Sequence, residues 1–184
     1  EMVDGLVGSE MCIRDRNGAP EVPVIQLGAG VSGYIGEPSS FPELGIANSL
    51  ESLVVLASST DPDDEPLFFD LTWSRNGYQV PDLDDQSLIT SERLEAGQVW
   101  EVTVTVRDPW GLTSHASETI TISNLPPIPS WSTIPEISLS GSMIKFDGTS
   151  SLDPDGSIIS WSWQINNQHH SGSNIEVLLG EGTH

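Results

Sequence analysis

Cysteine is nearly missing from this chain: there is one, Cys12, in 184 residues. It lies in an N-terminal stretch that fits nothing after it, so the rest has no thiol chemistry and no disulfide framework. The absence of disulfides does not by itself identify a redox compartment. Basic residues are also scarce, with 6 Lys and Arg against 27 Asp and Glu. Phosphate binding needs clustered cations, which excludes nucleic acid as a partner and disfavours anionic membrane surfaces. No apolar run approaches the roughly 18 residues that mark a bilayer-spanning helix. Gly-x-Ser-x-Gly, the phosphate-binding Walker loop and His-Glu-x-x-His are all absent, so no catalytic constellation is visible and no enzyme activity is expected. His115, His169, His170 and His184 lack zinc-ligand spacing.

Residues 1–16 stand apart. The run Leu6-Val7-Gly8-Ser9-Glu10-Met11-Cys12-Ile13-Arg14-Asp15-Arg16 resembles an in-frame translation of a sequencing-library adaptor. It has neither the basic start nor the continuous apolar centre of a signal peptide. Setting aside Glu1, Asp4, Glu10, Asp15, Arg14 and Arg16 leaves 23 acidic and 4 basic residues, a formal charge of −19. Such acidity favours solubility, counter-cations and a salty medium.

What the chain does have is one stretch that occurs twice. Ser58-Ser59-Thr60-Asp61-Pro62-Asp63-Asp64 leads through Phe69 and Leu71 to Trp73, and Ser150-Ser151-Leu152-Asp153-Pro154-Asp155-Gly156 leads to Trp161 and Trp163. The first copy is longer by Glu65-Pro66. A unit recurring after about 90 residues implies two tandem domains. The first is expected over 17–125 and the second over 126–184, with the proline-stiffened Asn124-Leu125-Pro126-Pro127-Ile128-Pro129 between them.

The pattern within each unit is short strands and turns, without helices. Val22–Leu27 carries Pro23, which makes it an edge strand at best. Residues 28–48 have no convincing period and are expected to form a long loop or small insertion. Leu53–Ala57 is apolar throughout, consistent with a strand buried on both faces. Phe69, Leu71 and Trp73 share one parity, and Asn76-Gly77 signals a tight turn. Trp100, Val102, Val104 and Val106 alternate with Glu101, Thr103 and Thr105, and the chain returns after Asp108-Pro109-Trp110-Gly111 with Ile120 and Ile122 inward. In the second unit strands are expected over 134–139, 143–147 and 174–179, with Ile159, Trp161, Trp163 and Ile165 on one face. Counterparts of the strand pair near 99–106 and 117–123 are lacking, so the second domain reads as incomplete, with core surface uncovered, and the chain as a truncated fragment. The fold class is all-β, a tandem pair of antiparallel β-sandwiches.

Gly148-Thr149-Ser150-Ser151-Leu152-Asp153-Pro154-Asp155-Gly156 with Ile159-Ser160-Trp161-Ser162-Trp163, and Val104-Thr105-Val106-Arg107-Asp108-Pro109-Trp110-Gly111, resemble the polycystic-kidney-disease (PKD) type of immunoglobulin-like domain. The first unit departs with Asp64 in place of glycine and with its insertion, features that resemble a cadherin-like module. The resemblance implies immunoglobulin-like sandwiches from an extracellular or cell-surface protein.

In that topology the loop after the second strand and the loop between the last two strands meet at the pole where the chain enters. Asp61, Asp63 and Asp64 would then approach Asp108 with Asn17 nearby, and Asp153 and Asp155 would lie beside Asn124. Clustered carboxylates are what Ca²⁺ needs, so these six aspartates are the candidate metal ligands. The alternative is that Asp-Pro-Asp-Gly is simply a good turn, with aspartates capping the backbone. Trp110 and Trp131 are candidates for exposed stacking on a sugar or partner. The function expected is a non-catalytic spacer or adhesion module, calcium-stiffened at domain junctions. Its partners would be neighbouring repeats and extracellular protein or polysaccharide. The alternative is an accessory substrate-binding domain of a secreted protease or glycosidase.

Overall fold

The computed structural model describes residues 17–36, 41–134 and 141–180. The adaptor-like segment and most of the strand expected over 134–139 lie outside them. The chain is all-β, with 47% of the described residues in strands. Its helical content among the described residues is two 3₁₀ turns of three residues each, Pro81–Leu83 and Ser91–Arg93. No helix among these residues is long and apolar enough to cross a membrane.

Strands β1 (Val24–Ala29), β2 (Tyr34–Gly36), β3 (Leu53–Ser58) and β6 (Leu88–Ile89) form one sheet, with β3 at its centre. Strands β4 (Phe68–Arg75), β5 (Tyr78–Gln79), β7 (Val99–Arg107) and β8 (Thr113–Thr121) form a second, in the order β5-β4-β7-β8. The two share one core. Leu53, Val55 and Ala57 of β3 meet Leu71 and Trp73 of β4 and Trp100, Val102, Val104 and Val106 of β7. This is how period-2 alternation buries one face of each sheet. Trp73 and Trp100 meet edge to face at 6.3 Å between ring centres, and the Trp73 indole donates to Gln86 O at 2.9 Å. The Asn76-Gly77 turn closes the β4–β5 hairpin, with both residues at positive φ (51° and 80°), as a tight hairpin turn requires.

The described parts of residues 28–48 hold more order than a loop. Within them β2 pairs with β3 in parallel, the one parallel ladder in an otherwise antiparallel set of described strands. Gly45 and Ala29 exchange backbone hydrogen bonds at 2.9 and 3.0 Å. The segment lies against the outer face of β3: a Cβ built on Gly30 would come within 2.6 Å of Val54 Cγ2, leaving room there only for glycine. This contact helps to bury Val54, which lies outside the shared core and is fully buried.

Strands β9 (Ser132–Ile134), β10 (Ser142–Asp147) and β13 (Asn174–Leu179) make a third sheet, and β11 (Ser162–Ile165) with β12 (Gln168–Ser171) a two-stranded ribbon. Among the described residues, none of these strands pairs with β1–β8. Trp131, Ile144, Phe146, Trp161, Trp163 and Leu179 line an open cleft of about 620 Å³ between the ribbon and the sheet. Ile159 does not share the inward face expected for it and is 92% exposed. The ladder begins only at Ser162, so no pairing imposes strand parity on Ile159.

Candidate metal centre

Three segments converge because the ladders make them converge. Phe68 pairs with Arg107, so the loop before β4 lies beside the loop after β7. Val24 pairs with Ser58, so the chain entering β1 runs past the same end. Glu21 N–H donates to Thr60 O at 2.9 Å, and Ser59 Oγ donates to Glu21 O at 2.5 Å, tying the incoming segment to the Asp-Pro-Asp loop.

Within this pole one carboxylate oxygen from each of Asp61, Glu65 and Asp108 lies within 4.8 Å of the others. Asp108 is fully buried and heavily solvated by protein. Its Oδ1 accepts from Trp110 N and Leu112 N, both at 2.8 Å, and its Oδ2 from Asn17 Nδ2 at 2.7 Å. Burial alone would raise the Asp108 carboxyl. The hydrogen bonds from the Asn17 amide and from the backbone of Leu112, Trp110 and Gly111 outweigh it and hold the group below the ordinary carboxylate value. Asp108 is therefore kept as an anion inside the fold.

Asp61 and Glu65 are each half satisfied. Asp61 is only 8% exposed; its Oδ1 accepts from Asp63 N at 2.8 Å in an Asx-type turn. Its Oδ2 is buried and has no hydrogen-bond partner. Glu65 Oε1 accepts from the Trp110 indole at 2.7 Å, while Oε2 is likewise buried and unpartnered. A buried carboxylate oxygen without a donor costs about 1–3 kcal/mol or more. Two of them beside a third anion make a site that a hard cation would complete.

The six aspartates expected as ligands divide sharply. Asp61 and Asp108 are brought together. Asp63 and Asp64 are exposed: the Asp63 carboxylate is taken by Gly18 N at 2.6 Å, and Asp64, at φ 57°, is not in the three-carboxylate group. In the second copy the same Asx contact recurs, from Asp155 N to Asp153 Oδ1 at 3.4 Å. Leu125 N reaches Asp155 Oδ2 at 3.1 Å, just as Gly18 N reaches Asp63. Ser49 Oγ also donates to Asp155 Oδ2, at 2.8 Å. Protein donors thus occupy Asp155, and among the described residues Asp153 and Asp155 join no group of three ligands. The candidate ligand that sequence reasoning missed is Glu65. Its signal was the Glu65-Pro66 insertion that lengthens the first copy over the second.

No protein-family model matches the chain, and no curated protein is significantly similar to it in sequence.

Proposed function

We propose that the chain is a non-catalytic extracellular module, two tandem sandwiches of the PKD-like immunoglobulin type, and that Ca²⁺ held by Asp61, Glu65 and Asp108 stiffens the pole where the chain enters the first. The observation that carries this reading is the pair of buried, unpartnered oxygens, Asp61 Oδ2 and Glu65 Oε2, next to the anionic Asp108. The donor set is all oxygen, with neither histidine nor cysteine in the group, which favours a hard cation over zinc or copper. Ca²⁺ takes six to eight oxygens in flexible geometry, so three carboxylates with water suffice.

The role is mechanical. The three carboxylates come from two loops, and Asn17 ties the incoming chain to one of them. A cation shared by the two loops resists their separation and fixes the approach of the preceding segment. In the second unit the corresponding loop is held by direct hydrogen bonds from Leu125 and Ser49 to Asp155. Both junction loops thus take a backbone donor from the incoming chain, Gly18 N to Asp63 and Leu125 N to Asp155, and the first is proposed to be stiffened further by an ion. A thermal melt in millimolar Ca²⁺ and in excess chelator tests the reading: the midpoint rises with Ca²⁺, because a ligand of the folded state stabilises it by mass action. Identical midpoints overturn it.

A further inference from the structure

Trp110 is large, aromatic and 74% exposed, which burial does not explain. It sits in the loop after β7 and hydrogen-bonds to two of the three members of the acidic group. Its backbone N–H donates to Asp108 Oδ1 at 2.8 Å, and its indole N–H donates to Glu65 Oε1 at 2.7 Å across 45 positions of sequence. The indole contact settles how Glu65 can act. With Oε1 occupied by the indole, Oε2 is the atom left over, and it is the buried oxygen without a partner.

Resting on the cation site proposed above, we infer that Trp110 is its positioning residue: the indole N–H fixes the Glu65 carboxylate so that Oε2 is presented to the ion. Glu65 comes from the lengthened loop before β4, followed by Pro66, and among the described residues the indole is the one hydrogen-bond donor to its side chain. Without that donor the carboxylate would have to be ordered by the cation alone. Orienting contacts of this kind around metal ligands change affinity by about 10–100-fold. An indole N–H has no acceptor capacity, so it cannot compete with Glu65 for the ion.

The test is a Ca²⁺ titration against a chromophoric chelator, run on the full chain and on Trp110→Phe, Glu65→Gln and the double variant. Phenylalanine keeps an aromatic ring and the backbone N–H bond to Asp108 and removes the indole donor, at the cost of a smaller ring on an exposed side chain. Trp110→Phe is expected to weaken Ca²⁺ binding about tenfold, with the chelator-state melting midpoint unchanged because the side chain is exposed. In the Glu65→Gln background the same change is expected to have no further effect, since the residue acts through Glu65. Wild-type binding with unaltered affinity in Trp110→Phe overturns this inference and leaves the site standing. An equal loss in both backgrounds also overturns it, showing that Trp110 acts by another route. A wild-type chain that takes up no Ca²⁺ overturns the site and the inference together.

Discussion

Replacing Asp61 by asparagine separates a cation site from a plain turn, because only a bound cation makes the sign of the effect change with Ca²⁺. Asparagine keeps an oxygen to accept from Asp63 N, the 2.8 Å bond that shapes the turn. It puts an amide where the unpartnered Oδ2 stands and removes one of three clustered charges. Two unit charges 4.8 Å apart repel by about 3.5 kcal/mol at an effective dielectric constant of about 20. Water around the half-buried Glu65 screens part of this, leaving about 1–2 kcal/mol to be relieved. In excess chelator Asp61→Asn should therefore be more stable than wild type, raising the urea midpoint by about 0.5–1 M. In saturating Ca²⁺ the order should reverse. Wild type gains about 2.7 kcal/mol at a free concentration of 100 times Kd, and the variant gains little. Equilibrium urea denaturation followed by tryptophan fluorescence in both media measures this crossing. A variant destabilised equally in chelator and in Ca²⁺ would refute the reasoning and reduce Asp61 to a turn cap.

Trp73→Phe should cost about 2–3 kcal/mol, combining the lost packing against Trp100 with a Gln86 carbonyl left without its 2.9 Å donor. Urea denaturation checks it, and a loss under about 0.5 kcal/mol would contradict the core described. For Asp147, the Thr149 hydroxyl and backbone N–H, with the nearby Lys145, hold the carboxyl below its ordinary value of 3.8. A depressed folded value contributes stability that is present above 3.8 and lost as pH falls through the folded value. Asp147→Asn should thus flatten the acid limb of the stability profile below 3.8, measured as melting midpoint against pH. An unchanged acid limb would count against those contacts.

The strands that were legible in the sequence are those whose partners impose a regular ladder. Trp100 to Val106 alternates because β7 is paired on both sides, by β4 and by β8, and every second residue meets the core. Leu53–Ala57 reads as buried on both faces, and it is. Residues 28–48 could not be read, because β2 is held by a parallel pairing to a strand some twenty residues on, and no local period encodes that. Ile159 misled for the converse reason: parity was extended from Trp161 and Trp163 to a position with no ladder to enforce it.

The candidate site was half legible. Strand order alone brings Asp61 to Asp108, since the loops that carry them flank one ladder. Asp63 and Asp64 look the same as Asp61 in sequence, and only the turn tells them apart. The Asx contact fixes Asp61 Oδ1, Gly18 occupies Asp63, and Asp64 is exposed on a left-handed backbone. Glu65 looked like one more acidic loop residue. Its proposed role rests on an indole 45 positions later, a contact that only the folded chain creates.

Calorimetric titration of Ca²⁺ into the chelator-treated full chain, beside Asp61→Asn, tests the central claim most directly. The account predicts saturable binding with one ion per chain in the wild type and its loss in the variant. Absence of saturable binding to the wild type at millimolar Ca²⁺, or the same stoichiometry in Asp61→Asn, would contradict it.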